Sequence, residues 1–233
     1  MHSRPNIDAA AGFENWLPIQ WDSPIPQQHP TPLKLRKSSD CYEFHCLKYP
    51  GVATFHSYAE FVHALLLEAN PKVVNFVPQP FKLLLNNRPY IPDVYVFTDQ
   101  RIQVLELKPR GELDEHLKRP LMAFFQEYSM TFDVISNEEV LQQETLALNW
   151  LPIVQVVVQA NNQGLDTQRQ EHQLLERCLA CHPIEVADLL DPAQRESQVQ
   201  LEVALYRLIQ RHRITVDLSL KPLDYSTELT PCI

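Results

Sequence analysis

Apolar residues recur at helical spacing through Tyr58, Phe61, Val62, Leu65, Leu66 and Ala69, then give way to short β-branched, aromatic and leucine-rich runs. The runs cover 73–77, 81–85, 90–97 and 102–107, and Pro78-Gln79-Pro80, Asn86-Asn87 and Thr98-Asp99-Gln100-Arg101 separate them. This pattern predicts a helix that lays one face on a sheet of consecutive antiparallel strands. Glu60 falls in the first turn of that helix. Tyr95 and Phe97 share the parity of Asp93, and Ile102 and Val104 share that of Glu106 and Lys108. Acidic and apolar residues therefore mix on one face, which suits a half-buried cleft better than a solvated surface.

Further along, 112–118 and 121–128 read as helix interrupted by Pro120, and 131–135 as another strand. Residues 137–150 and 153–160 read as mainly helical, the second being Val-rich enough to suit a strand as well. Asn161-Asn162-Gln163-Gly164 is a polar break that carries one of only four glycines, and it marks a domain boundary. After it come helical patterns at 174–179, 184–190 and 199–210, then short strands from 214–218 and the tail. Three helices followed by a β-hairpin is the order of a winged helix. The first fifty residues hold seven of the nineteen prolines with little periodicity and read as an extended arm. The expected organisation is thus an arm (1–50), a main α/β domain (51–160) and a small winged-helix-like domain (161–233).

Composition narrows the function. At 233 residues and 45% hydrophobic content the chain can bury a sizeable core. It shows no charged-then-apolar leader and no apolar run of the ~18 residues a membrane span needs, so a cytoplasmic protein without membrane attachment is expected. The net charge of −9 argues against tight DNA binding by the chain alone, which depends on counterion release at many phosphates. From residue 161 onward seven Lys and Arg face eleven Asp and Glu, a balance that favours protein docking over phosphate contact. Arg207, Arg211 and Arg213 form a local exception, and Lys34-Leu35-Arg36-Lys37 is a compact basic run in the arm. Cys178-Leu179-Ala180-Cys181-His182 matches the haem-attachment pattern, but without an export signal its cysteines read as buried free thiols.

The candidate chemistry lies between Ser57 and Lys108. A helix-borne Glu60, a Pro92-Asp93 step and a Glu106-Leu107-Lys108 strand end follow one another in the layout of metal-dependent PD-(D/E)xK nucleases. Phosphodiester hydrolysis needs a cation against the phosphate and a water of lowered pKa, and Mg2+ prefers carboxylate oxygen. Asp93 and Glu106 are the natural ligands, with Glu60 as support. Lys108 lies two residues beyond Glu106 on the same strand face, roughly 6–7 Å along it, where an ammonium can orient water or stabilise phosphate charge. Two carboxylates 4 Å apart repel by about 4 kcal/mol at an effective dielectric of 20, so a gathering of three favours a cation site. Each residue also has an ordinary reading. Ser57-Tyr58-Ala59-Glu60 is a capping box, Asp93 suits a turn, and Glu106 and Lys108 suit a solvated strand edge.

Phe55-His56-Ser57-Tyr58-Ala59-Glu60, Phe76-Val77-Pro78-Gln79-Pro80, Tyr90-Ile91-Pro92-Asp93 and Leu105-Glu106-Leu107-Lys108-Pro109 together resemble the TnsA family, the endonuclease subunits of heteromeric, target-selecting transposases. The resemblance covers roughly residues 35–160 well and the rest more loosely. It implies a restriction-endonuclease-like N-terminal domain that cuts the 5′ strand at transposon ends using Mg2+, or Mn2+ in its place. It also implies double-stranded DNA, a DDE-type transposase and an AAA+ regulatory ATPase as partners. By motif position Glu60, Asp93 and Lys108 take the catalytic places, whereas Glu106 stands where the family has either an acid or a glutamine. Lys34, Arg36, Lys37 and Gln79 are the candidate DNA contacts. The competing expectations are a stand-alone PD-(D/E)xK restriction or repair nuclease and a noncatalytic scaffold that keeps the fold.

Overall fold

The computed structural model describes residues 18–31, 40–181 and 183–232. Its centre is a mixed four-stranded sheet of β4 (Val73–Pro78), β7 (Val94–Thr98), β8 (Ile102–Lys108) and β9 (Met130–Ser136), in the order β4-β7-β8-β9. β7 runs antiparallel to both β4 and β8, whereas β8 and β9 are parallel, in register from Ile102↔Met130 to Lys108↔Ser136. The parallel pair requires a crossover, which α2 (Glu115–Glu127) supplies. α2 is continuous through Pro120, expected to interrupt it, because Pro120, Leu121 and Phe125 are buried and tertiary packing outweighs the missing bond.

Strand order departs from the consecutive meander. The run 81–85 yields only β5 (Leu83–Leu85), which leaves the central sheet to pair with β6 (Arg88–Tyr90) across an Asn86-Asn87 turn with φ of +48° and +63°. The run 90–97 breaks at Ile91-Pro92-Asp93, since Pro92 has no N–H to continue a central ladder. β7 therefore begins after Asp93 and pairs with β4 instead of β5. The Thr98–Arg101 turn forms as expected, with Thr98 N donating to Arg101 O at 3.0 Å.

Both faces of the sheet are covered. Val94, Val96, Leu105 and Leu107 share a core with Val62 and Leu65 of α1 (Tyr58–Ala69). Tyr95, Val104 and Phe132 pack on the other side with Phe81, Leu83, Leu121 and Phe125. α1 is buried beyond the single face expected: β2 (Tyr42–His45) and β3 (Val52–Phe55) pair into a hairpin whose Tyr42, Phe44 and Phe55 rings meet Phe61. Its last turn holds a fully buried Glu68, whose Oε1 accepts from Leu47 N and Lys48 N at 2.8 and 3.0 Å. Lys48 in turn donates to Leu67 O and Asn70 O, placing a cation at the negative end of α1.

The described parts of the first fifty residues are not merely an arm. β1 (Ile19–Trp21) pairs with β5, and Trp21 packs on Phe81, Phe124 and Tyr128 with ring centroids 5.4, 5.0 and 4.3 Å away.

After β9, a short α3 (Asn137–Leu141) precedes α4 (Glu144–Asn162), one uninterrupted helix where two segments were expected. The polar break at 161–164 closes α4, with Gly164 at φ +64°. Then follow α5 (Gln168–Ala180), β10 (Ile184–Glu185), α6 (Val186–Leu189), a 3-10 turn (Pro192–Gln198), α7 (Val199–Gln210), β11 (Ile214–Thr215) and β12 (Glu228–Pro231). The three strands pair as β10-β12-β11, so Ile184 and Glu185, expected in a helix, belong to a sheet. Their core includes Leu174, Cys178, Leu205, Ile209, Ile214 and Leu229, and α4 contributes Trp150, Ile153 and Val154 to it. No helix among the described residues is long and apolar enough to cross a membrane.

Candidate functional site

The site is assembled where α1 begins and where β7 and β8 meet. Ser57 caps α1 in extended conformation and its Oγ accepts from Glu60 N at 3.2 Å. Glu60 reaches back, its Oε1 accepting from Ser57 Oγ at 2.9 Å and its Oε2 from His56 N at 3.1 Å. Ser57 therefore caps the helix as expected, whereas Glu60 closes back on the His56 N–H and the Ser57 hydroxyl and not on the Ser57 amide. Held this way, Glu60 Oε2 also accepts from Gln79 Nε2 at 2.9 Å.

Asp93 stands one residue ahead of β7. The β7–β8 ladder pairs Val94 with Leu105 and ends there, leaving the Leu107 N–H without a strand partner on that side. Asp93 Oδ2 takes that N–H at 2.6 Å. Glu106, only 2% exposed, accepts from Tyr90 Oη at 2.7 Å through Oε2 and meets Lys108 Nζ at 2.6 Å through Oε1. The Lys108 side chain keeps 35% of its surface open to solvent.

The electrostatics record the crowding. Burial, then the charges of Glu106 and Glu60, push the Asp93 carboxyl up to about 8, against the opposing pull of the Leu107 N–H and Lys108. Burial draws the Lys108 ammonium down, but the hydrogen bond and charge of Glu106, with Asp93 and Glu60 behind, outweigh it and leave its pKa above the ordinary lysine value. The Tyr90 phenol is raised by burial, then by Glu106 and Asp93, and stays a donor. Glu60, Asp93 and Leu107 line a cavity of about 10 Å³ together with His63, whose pKa burial lowers to about 4, so that its ring is neutral at pH 7. That volume is at the lower limit for one water.

The four catalytic candidates are thus brought together, and the Coulomb coupling of Asp93 to Glu60, Glu106 and Lys108 joins them into one site. Among the described residues no three His, Cys, Asp or Glu side chains stand ready as a metal cage. Each carboxylate is engaged by protein donors.

Other expectations fall elsewhere. Lys34, Arg36 and Lys37 lie outside the described residues. Gln79, expected to contact DNA, is buried and serves Glu60 instead. Arg207 is also buried and donates to Leu165 O, Thr167 Oγ1 and Asn161 Oδ1, while Arg211 pairs with Glu171 at 2.7 Å. Arg207 and Arg211 therefore tie α7 to the start of α5, although the Arg211 side chain stays 54% exposed and Arg213 is exposed as well. Of the cysteines in the haem-like motif, Cys178 is buried as expected, but Cys181 is exposed, as is Cys41. Sequence reasoning gave no role to Tyr90 or Gln28, although Tyr90 was in plain view three residues before Asp93. No family model matches the chain, and no curated protein is detectably similar to it.

Proposed function

We propose that this chain is a Mg2+-dependent DNA endonuclease, the subunit of a heteromeric transposase that cuts the 5′ strand at transposon ends. In this reading residues 51–160 form a restriction-endonuclease-like PD-(D/E)xK domain and residues 161–233 a winged-helix-like docking domain. The observation that carries it is the Asp93, Glu106 and Lys108 group at the junction of β7 and β8, with Glu60 beside it and Asp93 raised to about 8.

The residues suit a divalent cation. Three carboxyls face one ammonium, so one negative charge remains while Asp93 is protonated and two once it ionises, and every carboxyl donor is a hard oxygen. Asp93 and Glu106 would hold Mg2+ or Mn2+, with Glu60 in support. When bound, the cation supplies charge against the phosphate and lowers the pKa of the attacking water. Lys108, anchored on Glu106 yet partly solvent-facing, holds the water or a phosphate oxygen at the edge of the site. Below about pH 8 Asp93 keeps its proton and must release it before its carboxylate can act as a ligand.

The charge balance supports action inside an assembly. A net charge of −9, with Arg207 buried in the fold and Arg211 paired with Glu171, leaves little means of gripping duplex DNA alone. A DDE-type transposase and an AAA+ ATPase are the partners this reading names. The test is cleavage of transposon-end duplex by the purified chain with and without the DDE subunit encoded beside it. Cuts at defined 5′ positions are expected only in the mixture, and Asp93→Ala should abolish them. Specific cutting by the lone chain would favour a stand-alone nuclease; no cutting and no Mn2+ binding in any mixture would favour a scaffold.

A further inference from the structure

We propose that Gln28 is a positioning residue for the acidic cluster, fixing Glu60 through Gln79; the inference rests on the nuclease reading above. The Gln28 amide sits on β3 as the peptide of a neighbouring strand would. Its Oε1 accepts from Thr54 N at 3.2 Å and its Nε2 donates to Thr54 O at 2.6 Å, so turning the amide over would set donor against donor and acceptor against acceptor. With that orientation fixed, Nε2 also donates to Gln79 Oε1 at 2.6 Å. Gln79 must therefore point its own Nε2 the other way, and there it donates to Glu60 Oε2 at 2.9 Å. The donors run in one direction, from the N-terminal segment to the carboxylate.

Gln79 carries an independent mark of this use. It lies at φ +42° between two prolines, a conformation that costs energy for any residue with a Cβ. Its backbone N–H donates to Asp93 O at 2.8 Å. One strained, buried residue therefore grips both acids, Glu60 by its side chain and Asp93 by its backbone. The segment that delivers Gln28 is pinned on either side, by Gln27 N on Pro80 O at 2.9 Å and by Thr31 Oγ1 against His56 Nε2 at 2.9 Å. His56 is the residue whose N–H supplies Glu60 Oε2 with its other donor. Without the Gln28 amide, Gln79 Oε1 loses its partner in a buried position and Glu60 loses a fixed neighbour.

The test is Gln28→Met in the full chain, which keeps the volume and removes the amide, made in the wild type and in a Glu60→Gln background. Mn2+ affinity is read by calorimetry and the Gln79 side-chain amide by 15N NMR. Mn2+ binding is expected to weaken on the order of tenfold in the wild-type background. Where Glu60 is already Gln the loss should be small, because the relay no longer ends on a carboxylate. Equal losses in both backgrounds would overturn the proposal, since a general structural effect ignores Glu60. If the wild type binds no Mn2+ either alone or with the DDE subunit, the nuclease reading falls and the NMR result decides the relay by itself. Gln79 amide signals that shift and exchange faster in Gln28→Met support it, and unchanged signals overturn it.

Discussion

Asp93 is the residue at which local chemistry and stability oppose each other. Its folded pKa of about 8 lies above the unfolded value of 3.8, so between those limits the folded chain holds a proton that the unfolded chain has released. Stability from this group is therefore full below about pH 4 and is lost progressively as pH rises towards 8. Asp93→Asn keeps an oxygen for the Leu107 N–H and removes the titration, so its melting temperature should exceed the wild type's by roughly 3–6 °C at pH 8.5, with the gap closing near pH 4. Taking the difference between variant and wild type cancels His63, which titrates in the opposite sense. A thermal scan across pH 4–9 checks it, and a variant that is less stable throughout would show that Asp93 is not strained. The same proton competes with a cation. Mn2+ affinity should accordingly tighten with rising pH, by up to about tenfold per unit, and level off above pH 8, as titration calorimetry would show.

At the level of elements, the least expected anchors are β1 and the Arg207 network. Trp21→Ala removes the ring that covers Phe81, Phe124 and Tyr128, and should cost about 3 kcal/mol in urea unfolding while releasing β1 from β5. Arg207→Met leaves the acceptors on Leu165, Thr167 and Asn161 unpaired and should cost roughly 3 kcal/mol, visible as a large drop in melting temperature. An unchanged melt would return Arg207 to the surface and reopen a DNA role. These contacts also show what the sequence could and could not reveal. α1 with its Ser57 cap, the β8 strand and the order of Glu60, Asp93, Glu106 and Lys108 are local signals and were readable. The pairing of β4 with β7 was hidden because it skips the β5–β6 hairpin, and only the Pro92 break hinted at it. Gln28 was hidden for a related reason: it meets Gln79 across 51 residues, from a proline-rich stretch with no periodicity. Arg207 looked like part of a basic surface because a charge count does not report burial.

For the whole molecule the decisive element is α4. A boundary at 161 places it with the main domain, yet Trp150, Ile153 and Val154 complete the second core while Ala147 lies in the first. Removing residues 163–233 should therefore uncover Trp150 and its neighbours, and the fragment should bind a hydrophobic dye and self-associate more than the full chain does. A fragment that stays monomeric and silent to the dye would mean that the first core closes without its neighbour. The 19 residues of α4 make a rod about 28 Å long that runs from the first core into the second and ends at the 161–164 break. A load applied by a partner to the C-terminal helices thus travels along α4 to Ala147 and to Glu144, whose Oε1 accepts from Tyr58 Oη, two residues from Glu60 in the first turn of α1.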